Sequence, residues 1–307
     1  MLIPKTIYMT YKNNPPSKVF NRWKSLNPDY NIDFSLDEDC LSYLKENFGT
    51  YFVDLFNSIK QGMYKADLWR LCKLYLNGGI YADIDLIPYF KLDELIQELQ
   101  SKIVNTTEHI FYSCLANDRH SVFQAFMITT PKNPMILQYL ISYVLNKPYQ
   151  GQHNGPTYDM FRCLIYNTNT REIKPETVYN LNHLKLPLII NDIKSREHLE
   201  IDLQYFPDGV NYHLLCQNQS LQPYLDMKIN GGKIKIIKKG GIPDDTMKEN
   251  IIVFLVIPCD AIFLLFPEKK DPGTNYLDCY ITYQEKKILD SRDREYALKK
   301  EKGENYI

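Results

Sequence analysis

Between Lys65 and Leu76 the apolar residues Leu68, Leu71, Cys72, Tyr75 and Leu76 recur at helical spacing, which predicts an amphipathic helix with one buried face. Asn77-Gly78-Gly79 follows, a turn tolerant of left-handed backbone that stops the helix, and Ile80-Tyr81-Ala82 then reads as a short strand. That strand ends in Asp83-Ile84-Asp85. Upstream, the pattern predicts a strand over Leu2 to Tyr11, a helix over Ser17 to Leu26 behind Asn13-Asn14-Pro15-Pro16, and a short strand over Asn31 to Ser35. Helices follow at Leu36 to Asn47 and Tyr51 to Ile59. Beyond the acidic pair it predicts a helix over Lys91 to Gln100, strands over Ile110 to Cys114 and Val122 to Thr129, and a helix over Pro134 to Leu145. This βα rhythm defines an α/β fold with a mainly parallel sheet flanked by helices. In such sheets ligands sit beyond the carboxyl ends of the strands, where Tyr8 to Tyr11 and Asp83 to Asp85 would emerge together.

After about Leu225 the pattern changes. Lys228 to Lys239 and Ile251 to Phe266 are strand-like, and Glu285 to Glu301 reads as a charged helix or tail. The expected organisation is a main domain over residues 1–225 and a small β-rich extension over 226–307 packed on it. The longest apolar run, Ile251 to Phe266, is broken by Pro258-Cys259-Asp260 and too short to span a bilayer, so it reads as two buried strands.

Composition narrows the function classes. The net charge of −1, with no basic domain visible, argues against a strongly electrostatic partner such as nucleic acid, whose binding is driven by many Lys and Arg contacts. The seven cysteines are dispersed, odd in number and without a C-x-x-C pair, which suits buried reduced thiols better than a disulfide framework or a zinc site. The N-terminus runs into a strand-like pattern without an apolar stretch of signal-peptide length. The expectation is a cytoplasmic protein, at most peripheral to a membrane, with no transmembrane segment.

Asp83 and Asp85 carry the candidate chemistry. Carboxylates at i and i+2 beyond a strand end can face one cleft and hold a hard divalent cation such as Mn2+ or Mg2+, bridging it to substrate phosphates. Asp67 and Arg70, three residues apart on the preceding helix, are neighbours on its surface. The plainer alternatives are a solvated loop pair for the aspartates and a helix-surface ion pair for Asp67 and Arg70.

Asp67-x-x-Arg70 followed by Tyr75-x-x-Gly78-Gly79-Ile80-Tyr81-x-Asp83-x-Asp85 resembles the signature of glycosyltransferase family 32, whose members carry a D-x-D sugar-binding region. Ile3-Pro4-Lys5-Thr6-Ile7-Tyr8-Met9-Thr10-Tyr11 is similar to the family's opening strand, and Trp23 with Asn27-Pro28-Asp29-Tyr30 matches its next landmark. Pro131-Lys132-Asn133-Pro134, Asn154-Gly155-Pro156 and Phe206-Pro207 resemble later ones, so the likeness covers roughly the first two-thirds of the chain. Tyr8, Met9 and Tyr11 stand where the family has His, Gln and Trp.

The resemblance implies a GT-A fold with residues 1–225 as catalytic domain, a nucleotide-diphosphate sugar (UDP- or GDP-sugar) as donor, a glycan or other hydroxyl acceptor, and retention of anomeric configuration. It implies that Asp85 is a direct metal ligand, that Asp83 touches the ribose or a metal-bound water, and that Asp67 and Arg70 bind donor-sugar hydroxyls and neutralise phosphate. Donor contacts are further expected from Tyr8, Thr10, Tyr11, Gly79, Asn154 and Gly155. His213 is the candidate third metal ligand, with a core histidine as the alternative. A metal-dependent nucleotidyltransferase and a non-catalytic nucleotide- or glycan-binding relative remain as other readings.

Overall fold

The structure, a computed structural model, describes residues 3–103, 109–115, 122–146, 164–168, 170, 172–190, 198–202, 213–216, 223–230, 233–239, 251–265, 268–270 and 279–290. Its first elements are β1 (Thr6–Thr10), α1 (Ser17–Leu26), β2 (Asn31–Ser35), α2 (Asp37–Phe48), α3 (Thr50–Ser58), α4 (Gly62–Asn77) and β3 (Gly79–Ala82). Then come β4 (Ile87–Pro88), α5 (Leu92–Ser101), β5 (His109–Leu115), β6 (Val122–Thr129) and α6 (Pro134–Asn146). The remaining strands are β7 (Tyr179–Ile190), β8 (His198–Asp202), β9 (His213–Cys216), β10 (Leu225–Asn230), β11 (Lys233–Lys238), β12 (Ile251–Leu265), β13 (Glu268–Lys270), β14 (Tyr280–Tyr283) and β15 (Lys286–Asp290).

The main sheet runs β2-β1-β3-β6-β5-β12-β7, with β9 also paired to β12. Strands β2, β1, β3, β5 and β12 point one way and β6, β7 and β9 the other. The sheet is therefore mixed with mostly parallel strands, the α/β layering expected of a GT-A fold. Its antiparallel member β6 was not expected. The short connection from Leu115 to Val122 leaves no room for a helical crossover, so β6 folds back on β5 and inserts between it and β3.

Strand alternation sorts the core onto the two faces. Tyr8, Tyr81, Phe111 and Met127 pack with α2, α3, α4 and α6, whereas Ile7, Met9, Ile80, Ala82, Ile110 and Tyr112 pack with α1 and α5. Trp23 and Trp69 are fully buried, one in each layer.

The two glycines after α4 set the path into the site. Gly78 has φ 63°, and a Cβ there would lie 2.5 Å from the Pro131 nitrogen; Gly79 has φ 98°, and its Cβ would lie 2.9 Å from the Thr6 carbonyl oxygen. Only glycine fits both the left-handed backbone and these close approaches. They turn the chain so that β3 lies parallel against β1, with Tyr8 opposite Tyr81.

The C-terminal part is woven into the fold rather than packed on it. Ile251–Leu265 forms one strand, irregular between Pro258 and Ile262, in the interior of the main sheet. The apparent break is a local irregularity: the chain re-enters the same ladder against β7. Lys286–Asp290, expected to begin a charged helix, is strand β15, and it pairs with β4 just past the acidic pair. Residues 291–307 lie outside the described residues. Strands β10, β11 and β8 form a separate antiparallel sheet.

Candidate active site

A cavity of about 590 Å³ opens at the carboxyl ends of β1 and β3. That size suits a small-molecule ligand. Thr10 and Tyr11 border it from β1, Asp83 and Asp85 from the turn after β3, and Lys65 and Arg70 from α4. Asp37 and Cys40 reach it from α2, which starts just past β2. The Thr10 hydroxyl is tied to the rim: it donates to the Ser35 carbonyl at 2.8 Å and lies 3.5 Å from Cys40 Sγ. Burial pushes the Cys40 thiol up to about 12, so it stays protonated near neutral pH.

The Arg70 wall is a buried polar cluster. Arg70 and Asp67 are 4% and 2% exposed, which rules out a helix-surface ion pair. Arg70 Nη2 lies 2.9 Å from Asp67 Oδ1 and 3.7 Å from Asp83 Oδ1. Its Nε donates to the Ala66 carbonyl at 3.2 Å and its Nη1 to the Gln124 carbonyl at 2.7 Å. The guanidinium stacks 4.3 Å from the centre of the Tyr81 ring, and the Tyr81 hydroxyl donates to Asp83 Oδ1 at 2.6 Å. Burial opposes the Arg70 charge, but Tyr81, Asp67 and Asp83 together bind its proton more tightly than in a free guanidinium. Burial likewise pushes the Asp67 carboxyl up to about 6, against the pull of Arg70.

Among the described residues no group of three or more His, Cys, Asp or Glu side chains forms a closed metal cage. Asp83 and Asp85 do border one cavity. Two hard oxygen donors at an open site fit a divalent cation that keeps positions for water and substrate phosphate, and do not fit a structural metal.

Not every expected site residue meets this cavity. Asp67 sits behind Arg70 rather than in the lining. Tyr8 is 5% exposed and packs on the α4 face, its ring 5.3 Å from Lys73 Nζ, because strand alternation turns it away from the neighbouring Ile7 and Met9. Gly79 is a packing glycine against β1. The backbone of His213 starts β9, opposite Val256 of β12; its side chain, like Asn154 and Gly155, lies outside the described residues. Lys65, Asp37 and Cys40 at the rim were missed, and so were three residues of the Arg70 cluster. Tyr81 shares a strand face with Asp83 by its i, i+2 spacing, Gln124 is the one amide in the apolar run Val122–Thr129, and Tyr139 gave no sequence signal.

Residues 15–102 match the family described as glycosyltransferase sugar-binding region containing DXD motif. That segment carries α1 through α5 and the acidic turn, and over it the chain is similar to this family. Inositol phosphoceramide mannosyltransferase 1 of Schizosaccharomyces pombe is 32% identical over 143 residues, 44% of this chain and 41% of the relative. Mannosyl phosphorylinositol ceramide synthase CSH1 of Saccharomyces cerevisiae is 37% identical over 100 residues, 31% of this chain and 26% of the relative. The matches thus span less than half the length of these relatives. Among solved structures, PaToxG Glycosyltransferase is similar with a TM-score of 0.41 and 19% identity, over 53% of this chain and 69% of that one. Among the described residues no helix is long and apolar enough to cross a membrane.

Proposed function

We propose that this chain is a metal-dependent, retaining glycosyltransferase that moves a sugar from a nucleoside diphosphate sugar to a hydroxyl acceptor of polysaccharide, glycoprotein or glycolipid type. The observation that carries the reading is the convergence of Arg70, Asp83 and Asp85 on one cavity at the carboxyl ends of parallel strands. The names of the relatives favour mannose as the sugar.

Asp85, with Asp83 beside it, would hold Mn2+ or Mg2+, which stabilises the charge gathering on the departing diphosphate. The residues of the chain do the rest. Tyr81 occupies Asp83 Oδ1 and so fixes the carboxylate, leaving Oδ2 for the ligand side. Arg70, already charged and dry, faces the phosphates without reorganising. No side chain here is cast as a covalent nucleophile. The bond from the anomeric carbon to phosphate oxygen breaks, the bond to the acceptor oxygen forms on the same face, and the acceptor proton passes to the departing phosphate oxygen. Positioning and preorganised charge supply the rate.

Release of nucleoside diphosphate from a panel of UDP- and GDP-sugars with Mn2+, with NMR of the product's anomeric proton, tests this reading. Expected are metal-dependent turnover by the wild type, retained configuration, and no turnover by Asp85→Ala. Full activity in Asp85→Ala, or release of pyrophosphate instead, would overturn it.

A further inference from the structure

We propose that Gln124 and Tyr139 are positioning residues that set the plane of the Arg70 guanidinium and the orientation of Asp67. The inference rests on the glycosyltransferase reading for its effect on turnover, but its geometric part stands without it.

A guanidinium offers five N–H donors in a rigid fork. Arg70 commits Nε to Ala66, one Nη1 hydrogen to Gln124 and Nη2 to Asp67, while its face lies on Tyr81. The fork can therefore present its remaining hydrogens to a ligand in only one orientation, provided each of these partners holds. Gln124 touches both Arg70 and Asp67. Its main-chain carbonyl accepts from Arg70, and its side-chain amide hydrogen-bonds Asp67, the buried carboxylate that faces Arg70. An amide can do this only one way round, because a carboxylate accepts and never donates when ionised. Tyr139, 2% exposed on α6, anchors the amide in that orientation: its hydroxyl donates to Gln124 Oε1 at 2.8 Å, which leaves Nε2 for Asp67. Without that hydroxyl Oε1 loses its anchor and the amide can swing away from Asp67, which would loosen Asp67 and with it Arg70. The chain of contacts runs from α6 through β6 to α4, so two residues outside the cavity lining govern a cation within it.

Three variants test this: Tyr139→Phe, which removes one oxygen and keeps the ring, Gln124→Met, and Arg70→Lys as reference. The first measurement needs no ligand. In protein labelled with 15N-arginine, the Arg70 Nε–H resonance, assigned by its loss in Arg70→Lys, should shift and exchange faster with water in both Tyr139→Phe and Gln124→Met. The second is turnover. A misplacement on the ångström scale predicts kcat lower by about tenfold in Tyr139→Phe and about a hundredfold in Gln124→Met. KM for the acceptor should stay within about twofold, because neither residue lines the cavity. Combined with Arg70→Lys, neither substitution should add to the loss, since both act through the same side chain. Should Gln124→Met fail to fold, Tyr139→Phe alone decides.

An unchanged Arg70 resonance overturns the proposal, and so does a changed one with wild-type turnover or with additive losses. A wild type that turns over no nucleotide sugar sinks the glycosyltransferase reading instead, leaving the resonance to decide the positioning claim.

Discussion

Arg70 and Lys65 stand little more than one turn apart on α4, and both border the cavity, but the walls they form are built differently. Arg70 is 4% exposed and held by the carbonyls of Ala66 and Gln124, by Asp67 and by the Tyr81 ring. The Lys65 side chain is 23% exposed and pairs at 3.0 Å with Asp37, itself 47% exposed, its ammonium 4.8 Å from the centre of the Phe56 ring. Met63, 67% exposed, completes that lip. In the low dielectric around Arg70 each charge is worth several times what it is worth at the rim. The buried wall is suited to fixing reacting groups. The open wall can adapt to whatever approaches.

Substitutions should separate the walls by size of effect. Asp85→Ala, at the chemical end of the cavity, should lower turnover by about a thousandfold or more with little change in melting temperature. Arg70→Ala should cost about 3–5 kcal/mol of stability in a denaturant titration, because Asp67 is left buried without its countercharge. A cost near zero would mean that the wall is far wetter than its burial implies.

Asp67 gives the comparison a pH signature. Its carboxyl is pushed up to about 6 in the fold from an ordinary 3.8, so the folded state holds the proton more tightly than the unfolded chain. The associated stability is fully present below pH 3.8 and is lost as pH rises through 6. Wild type should therefore lose stability relative to Asp67→Asn across that window, by on the order of 3 kcal/mol, as read from melts at stepped pH. Parallel pH profiles would show that Asp67 titrates normally. At the open wall, Lys65→Met should change stability by less than about 1 kcal/mol, the scale of an exposed ion pair. A larger loss there would erase the distinction between the walls.

Much of the frame was legible because local signals determine it. The bounds of α1, β2 and β6 follow from periodicity and turn residues, and the path from α4 through Gly78 and Gly79 to the acidic pair follows from helical spacing and glycine stops. What escaped depends on pairing between distant segments. Nothing local to Ile251–Leu265 says that it enters the main sheet beside β5, nor that Lys286–Asp290 pairs with the strand just past Asp85. The site divides likewise. Thr10, Tyr11, Arg70, Asp83 and Asp85 share the cavity, whereas Tyr8 is turned away by strand alternation and Gly79 serves the backbone path. Gln124 and Tyr139 join Arg70 only through tertiary contacts.

The central claim is that Asp83 and Asp85 make this cavity a site for a metal-bound nucleoside diphosphate. It is tested most directly by melting the wild type and Asp85→Ala with UDP, GDP and their sugar conjugates, each with and without Mn2+. A ligand at a hundred times its Kd adds about 2.7 kcal/mol, which should appear as a rise of roughly 5 °C. The account predicts such a rise for one nucleotide class, present only with Mn2+ and absent from Asp85→Ala. An equal rise without metal, an equal rise in Asp85→Ala, or no rise with any nucleotide would contradict it.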